Sequence, residues 1–425
     1  MPHLRNSPPF VLVIAVVILC TACVNAGSWS RFRGPNGTGV STDKEIPVQW
    51  NEKEEVLWKT SLPGLGHSSP VVWENNVFLQ CASEDGKERR LVCLSAVDGK
   101  VRWSTAVPGA VAKTHRKNSL ASSTPATDGE RVYALFWDGE ELSLSAFDFQ
   151  GNAVWRRGLG VYISQHGPGH SPMVYNGKVY LANDQDGTAT VLALDAKTGK
   201  PVWQAGRKPF RACYSTPILL ERPGAAPELL VLSTAGISGY DPATGNENWS
   251  YNWTFSGMAL RTIALPIYSG GLLFCNSGDG GGARATIAVK PGGQGDVTKT
   301  NLVWEKTKTF PYVPTMLASG EHLYFINDHG FAGCAVAKTG EIIWLERLCK
   351  EVFASPILVD GKVYAISEEG TVYVYPAAAS FHLLAKNSMG ERVLATPAVA
   401  DGRLYIRGEK HLFCIGKPSD RRAAR

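Results

Sequence analysis

Along the chain, short apolar runs alternate with turn residues in groups of four, and the clearest group lies between His170 and Trp203. Met173-Val174-Tyr175 leads into the turn Asn176-Gly177, and Lys178-Val179-Tyr180-Leu181-Ala182 leads out of it. Asp186-Gly187 precedes the third run, Val191-Leu192-Ala193-Leu194-Asp195, and Thr198-Gly199-Lys200 precedes Val202-Trp203. Asn-Gly between apolar runs is a strong hairpin signal, because a type I′ turn needs φ > 0 at both central residues. Val, Leu, Ile and Tyr suit a pleated, half-buried surface. The group therefore predicts a four-stranded antiparallel sheet with a tryptophan on its last strand. Such a sheet cannot bury both faces alone, and copies stacked radially make a β-propeller.

The pattern recurs. Each unit opens on a residue followed by proline: Ser69-Pro70, Thr124-Pro125, Ser171-Pro172, Thr216-Pro217, Leu265-Pro266, Val313-Pro314, Ser355-Pro356 and Thr396-Pro397, spaced by 41 to 55 residues. Proline lacks an N–H and belongs at a strand start. The fourth strands are expected to carry Trp58, Trp103, Trp155, Trp203, Trp249, Trp304 and Trp344, docked between blades, with residues 381–384 replacing the tryptophan before the last proline unit. The final unit stops one strand short at Phe413-Cys414-Ile415, while residues 56–60 form one strand in excess. The reading is an all-β, eight-bladed propeller of four-stranded antiparallel blades over residues 56–416. Its ring is closed by the N-terminal strand near Trp58, which removes the open sheet edges. Residues 27–55 are expected as a strap packed on the rim, and 417–425 as a disordered tail.

Composition changes this picture little. The net charge of +5 on 425 residues is too small to imply nucleic acid, and the cations are scattered apart from short runs such as His115-Arg116-Lys117 and Arg421-Arg422. The N-terminus matters more. Arg5, the apolar stretch from Phe10 to Leu19 and the small-residue site Val24-Asn25-Ala26 predict a signal peptide over 1–26 and a periplasmic or secreted protein. The rival reading is lipidation at Cys23, although Cys20 occupies the place where a lipobox wants an aliphatic residue.

Seven cysteines then remain, an odd number that argues against a complete disulfide framework. Cys93, Cys334 and Cys414 fall where other units place Ala146, Ala193 and Gly239, which predicts buried thiols. Cys81 and Cys93 flank the Asp85-Gly86 turn and are placed to pair across it. No spacing resembles a zinc site.

Strand order places the loops before each first strand and those between second and third strands on one face, around the channel mouth. The first set brings His67, His115, His166, His170, Arg211, Tyr214 and Arg261 there, which predicts a site for an anionic small molecule or peptide. The second set brings acids such as Asp184, Asp186, Asp279, Asp328 and Glu368, although Asp-Gly is also ordinary turn chemistry.

The motif from Ala193 to Trp203, with Asp195, Thr198 and Gly199, resembles the PQQ-like β-propeller repeat. Tyr240-Asp241-Pro242-Ala243-Thr244-Gly245 through Trp249, and Lys338-Thr339-Gly340 through Trp344, are further copies. The opening Phe32-Arg33-Gly34-Pro35 is similar to that of exported bacterial members without an assigned activity. The resemblance covers nearly the whole mature chain and implies the propeller fold. It also implies two functional classes. One is the BamB-like outer-membrane assembly lipoproteins, cofactor-free scaffolds of the cell envelope. The other is the quinoprotein dehydrogenases, which use PQQ and Ca²⁺ to oxidise an alcohol or sugar. The second class needs a carboxylate-and-amide calcium site, an Asp base and an adjacent cysteine pair, and no Cys-Cys dipeptide occurs here. Gly-x-Ser-x-Gly and His-Glu-x-x-His are also missing. The expectation is a non-catalytic scaffold without a cofactor that binds an envelope protein or small ligand, touching the membrane only through a lipid on Cys23. A PQQ- and Ca-dependent dehydrogenase is the alternative.

Overall fold

Each group of four runs folds into its own antiparallel sheet. In the computed structural model, which describes residues 27–51, 54–255 and 259–418, Met173–Tyr175, Lys178–Asn183, Ala189–Asp195 and Pro201–Arg207 pair in sequence order. Tyr175 faces Lys178, and Asn176 and Gly177 take φ of 45° and 68°, as the hairpin reading requires. Eight such sheets make an eight-bladed propeller, and no helix occurs among the described residues. We number the blades from the one that opens at Val71–Trp73. Blade 8 takes its inner three strands from Ala398–Ala400, Arg403–Arg407 and His411–Gly416, and its outer strand from Val56–Ser61, with Trp58 opposite Cys414. The N-terminal strand therefore closes the ring. The predicted signal peptide, the Cys23 lipidation site and residues 419–425 lie outside the described residues.

The tryptophans lock successive blades together. The indole N–H of Trp58, Trp103, Trp155, Trp203, Trp304 and Trp344 donates to a carbonyl in the turn between third and fourth strands of the next blade, or just past its third strand, at 2.8–3.1 Å. Across its own sheet each tryptophan faces a small residue: Cys93, Ala146, Ala193, Gly239, Ala288, Cys334 or Cys414. The turn glycine of the next blade lies on the ring. At Gly245, φ is +77° and a Cβ would come 2.4 Å from Trp203. The Thr-Gly signal of one blade and the tryptophan of its neighbour are two halves of one contact. Gly245→Ala is expected to cost about 1–3 kcal/mol from overpacking and left-handed strain, read as a lower denaturant midpoint with unchanged slope.

Three expectations are corrected. In blade 6 the opening place belongs to Thr315-Met316 rather than Val313-Pro314, because the strand is Leu317–Ser319. The hydroxyl explains the choice. Five inter-blade bonds run around the channel from the backbone N–H before one inner strand to the hydroxyl of the next: Ser69 to Thr124, Thr124 to Ser171, Leu265 to Thr315, Thr315 to Ser355 and Ser355 to Thr396, at 2.9–3.1 Å. In blade 7 the outer strand is Ala385–Ser388, and Phe381 instead packs on Trp344 of blade 6, ring centres 5.1 Å apart. Finally, Cys81 and Cys93 are free, as are the other five cysteines of the described residues. Cys81 faces Arg90 while Cys93 faces Phe78, an offset of three residues. Side chains alternate along a strand, so the two thiols point to opposite faces.

The segment expected as a rim strap crosses the channel. Trp29 bridges to Val72, Ser30 accepts from the Thr127 N–H, and Val40–Ser41 runs parallel to Ile357–Val359. Between them Arg31 donates to the Pro217 carbonyl, and Arg33 donates to the carbonyls of Gly37, Thr38, Met316 and Pro356. Inner strands are sheet edges, and their carbonyls need donors where water is excluded. Two buried guanidinium groups supply them, and burial lowers the pKa of Arg33 to about 9.

Candidate functional site

On the opposite side of this plug the channel widens into a cavity of about 580 Å³, with Phe32 on its wall. Both predicted loop sets contribute to it, so the assignment of faces holds. His67, His115, His166, Arg211, Tyr214 and Arg261 all line the cavity. His170 does not. Gly169 and Ser171 face the cavity, so the residue between them points away. His170 is fully buried against Tyr162, ring centres 5.6 Å apart, and neither ring nitrogen has a hydrogen-bond partner.

Burial lowers the His170 pKa to about 4. Unfolding returns it to its ordinary value near 6.5, so the unfolded chain binds more protons below that pH. The contribution of His170 to stability is fully present above pH 6.5 and is lost as pH falls toward 4, about 3 kcal/mol in all. His170→Phe is expected to flatten that limb of the stability–pH curve, measured by denaturant titration at each pH.

Of the acids, Asp279 and Asp328 reach the wall. Asp184 is buried in an ion pair with Arg207 at 2.8 Å. Glu368 binds Arg392 and Lys117, which outweigh burial and hold its carboxyl below the usual range. Lys117 lies between Glu351 at 3.0 Å and Glu368 at 3.2 Å. Phe32, Gln165, Arg284 and Glu351 complete the site without having been expected there. Their loops carry no turn motif that distinguishes them, and only the Phe32-Arg33-Gly34-Pro35 segment was visible as a unit.

The cations divide by partner. Arg284 pairs with Asp328 at 3.4 Å, and Lys117 has two glutamates. Arg261 donates to the Ala212 carbonyl and Gln165 Oε1, and Arg211 to the Ala259 carbonyl. His115 and His166 meet edge to face, centres 4.7 Å apart. Burial, Arg261, His115 and Arg211 lower the His166 pKa to about 4, and burial with Arg116, Lys117 and Arg261 lowers that of His115. Both shifts favour the neutral imidazole.

The carboxylates do not fit a calcium ion. Asp279 caps its own turn through the Gly281 and Ala283 N–H groups. Asp328 accepts from the Tyr312 and Val313 N–H groups at 2.8 and 3.0 Å. Glu351 is held by Lys117. No group of three or more His, Cys, Asp or Glu that could hold a metal ion occurs among the described residues. The docked tryptophans lie on outer strands, so the cavity's aromatic rings are Phe32, Tyr214, Tyr312 and Phe353.

A family profile described as "Outer membrane protein assembly factor BamB" matches residues 44–205 and 140–294. The outer membrane protein assembly factor BamB of Moranella endobia (strain PCIT) is 22% identical over 254 residues, 53% of this chain. The chain spans 59% of the length of that relative. Among solved structures, BamB from Moraxella catarrhalis superposes with a TM-score of 0.62 at 14% identity, covering 86% of this chain and 98% of that one. Quinohemoprotein alcohol dehydrogenase from Comamonas testosteroni gives 0.63 at 14% identity, covering 92% and 81%. The near-equal scores describe a shared fold and do not separate the two classes.

Proposed function

Because the chain belongs to the PQQ-like repeat family described as outer membrane protein assembly factor BamB, we propose that it is an exported, non-catalytic propeller scaffold of the cell envelope. The observation that carries this reading is the use of the cavity's carboxylates. Asp279, Asp328 and Glu351 are each engaged by backbone N–H groups or a cation, which leaves no free carboxylate base and no calcium cage among them. A partner protein would meet the same face. Four successive loops leading into blades 1 to 4 each expose a large apolar residue: Leu65 at 44%, Val111 at 73%, Ile163 at 55% and Phe210 at 69%. Such an arc, rimmed by polar residues, is the kind of surface that binds another protein. The name of the relatives points to assembly of outer membrane proteins as the process.

The test is complementation in a host lacking the gene. The wild-type chain is expected to restore the level of folded outer membrane proteins. The double variant Val111→Asp, Phe210→Asp is expected to fail although it accumulates normally, while Val303→Asp on an outer strand restores it. Full rescue by the double variant would show that the rim is not the docking surface.

A further inference from the structure

We infer that the basic wall of the funnel is a binding site for a small molecule carrying two or more anionic groups, carboxylate or phosphate. Arg116, Arg211 and Arg261 come from the loops that lead into blades 2, 4 and 5, and all three line the one cavity. None of them forms an ion pair among the described residues; Arg211 and Arg261 reach only neutral oxygens. Elsewhere on this face the protein matches its cations. Lys117 has Glu351 and Glu368, Arg284 has Asp328, and Arg392 has Glu368. Collecting three unmatched guanidinium groups in one concavity repels them from each other and focuses a positive potential there. An anion relieves both, and the planar guanidinium fork suits carboxylate and phosphate oxygens.

The shape narrows the ligand. The segment from Trp29 to Ser41 crosses the channel and closes its far end, so a polypeptide cannot thread through. A volume of about 580 Å³ suits a compact molecule. Val352, Phe353 and Leu394 line the same cavity and leave an apolar surface for the part of the ligand that carries no charge. The site lies inside the funnel and the rim arc on its edge, so this inference stands independently of partner docking.

The experiment is isothermal titration calorimetry of the full chain at low salt, with citrate in one arm and inorganic pyrophosphate in the other. The expected result is one-to-one binding of at least one probe with Kd below about 1 mM, weakened by added salt. The arm that binds more tightly separates a carboxylate ligand from a phosphate one. The double variant Arg116→Gln, Arg211→Gln changes exposed and half-buried side chains, so it is expected to fold and to lose about tenfold or more in affinity. Arg347→Gln on the outer strand of blade 6 is expected to leave binding unchanged. Absence of binding in both arms, or equal affinity in the double variant, would overturn the inference.

Discussion

Arg33→Ala is expected to destabilise the protein by about 4 kcal/mol or more. The guanidinium is fully buried and donates to four carbonyls, two in its own segment and two on the residues just before the inner strands of blades 6 and 7. Each buried acceptor left without a donor costs about 1–3 kcal/mol. Lysine cannot replace the fork, since one ammonium at the end of a flexible stem cannot reach carbonyls lying on different blades. Arg33→Lys should therefore recover little. Chemical denaturation followed by tryptophan fluorescence measures both variants, and a wild-type midpoint for either would show that the plug does not hold the blades.

Trp249→Ala is expected to cost about 3–5 kcal/mol. Trp249 departs from the other docked tryptophans. Its indole donates to Glu228 Oε1 in its own blade at 2.7 Å, and it is fully buried. The cause is the long connection in blade 5, where Gly295–Asp296 adds a parallel strand beside Glu247–Asn252 and brings Val297 into the same buried cluster as the ring. Removing the indole leaves a cavity and takes one donor from a buried carboxylate that also binds Arg222 at 2.6 Å. Trp203 remains partly exposed, so Trp203→Ala should cost less, about 2 kcal/mol. Equal losses at the two positions would contradict the assigned burial of Trp249.

The repeat was legible because its signals are local. Asn176-Gly177 specifies a turn by its own backbone preferences, and Trp203 with Ala193 marks a strand pair by size. Closure through Trp58 followed from counting strands. What the sequence hid depends on contacts between distant residues. The plug could not be read from Arg31 and Arg33, because their partners are carbonyls, which every residue has. The hydroxyl ring was disguised in blade 6, where Met316 occupies the proline position and a nearby Val313-Pro314 imitates it. In the funnel, strand order placed six of the seven chosen residues on the wall. His170 failed because the alternation within Gly169-His170-Ser171 decides the direction of its side chain. Phe381 failed as an outer-strand residue because its preference for an aromatic neighbour is met by Trp344 one blade away.

The most direct test of the central claim is a dye-linked oxidation assay on the purified protein with saturating PQQ and Ca²⁺ and a panel of alcohols and sugars. A non-catalytic scaffold gives no substrate-dependent dye reduction, even if PQQ, itself a tricarboxylate, occupies the basic funnel. Turnover that requires both PQQ and Ca²⁺ and disappears with a chelator would contradict that reading and make this propeller an oxidoreductase.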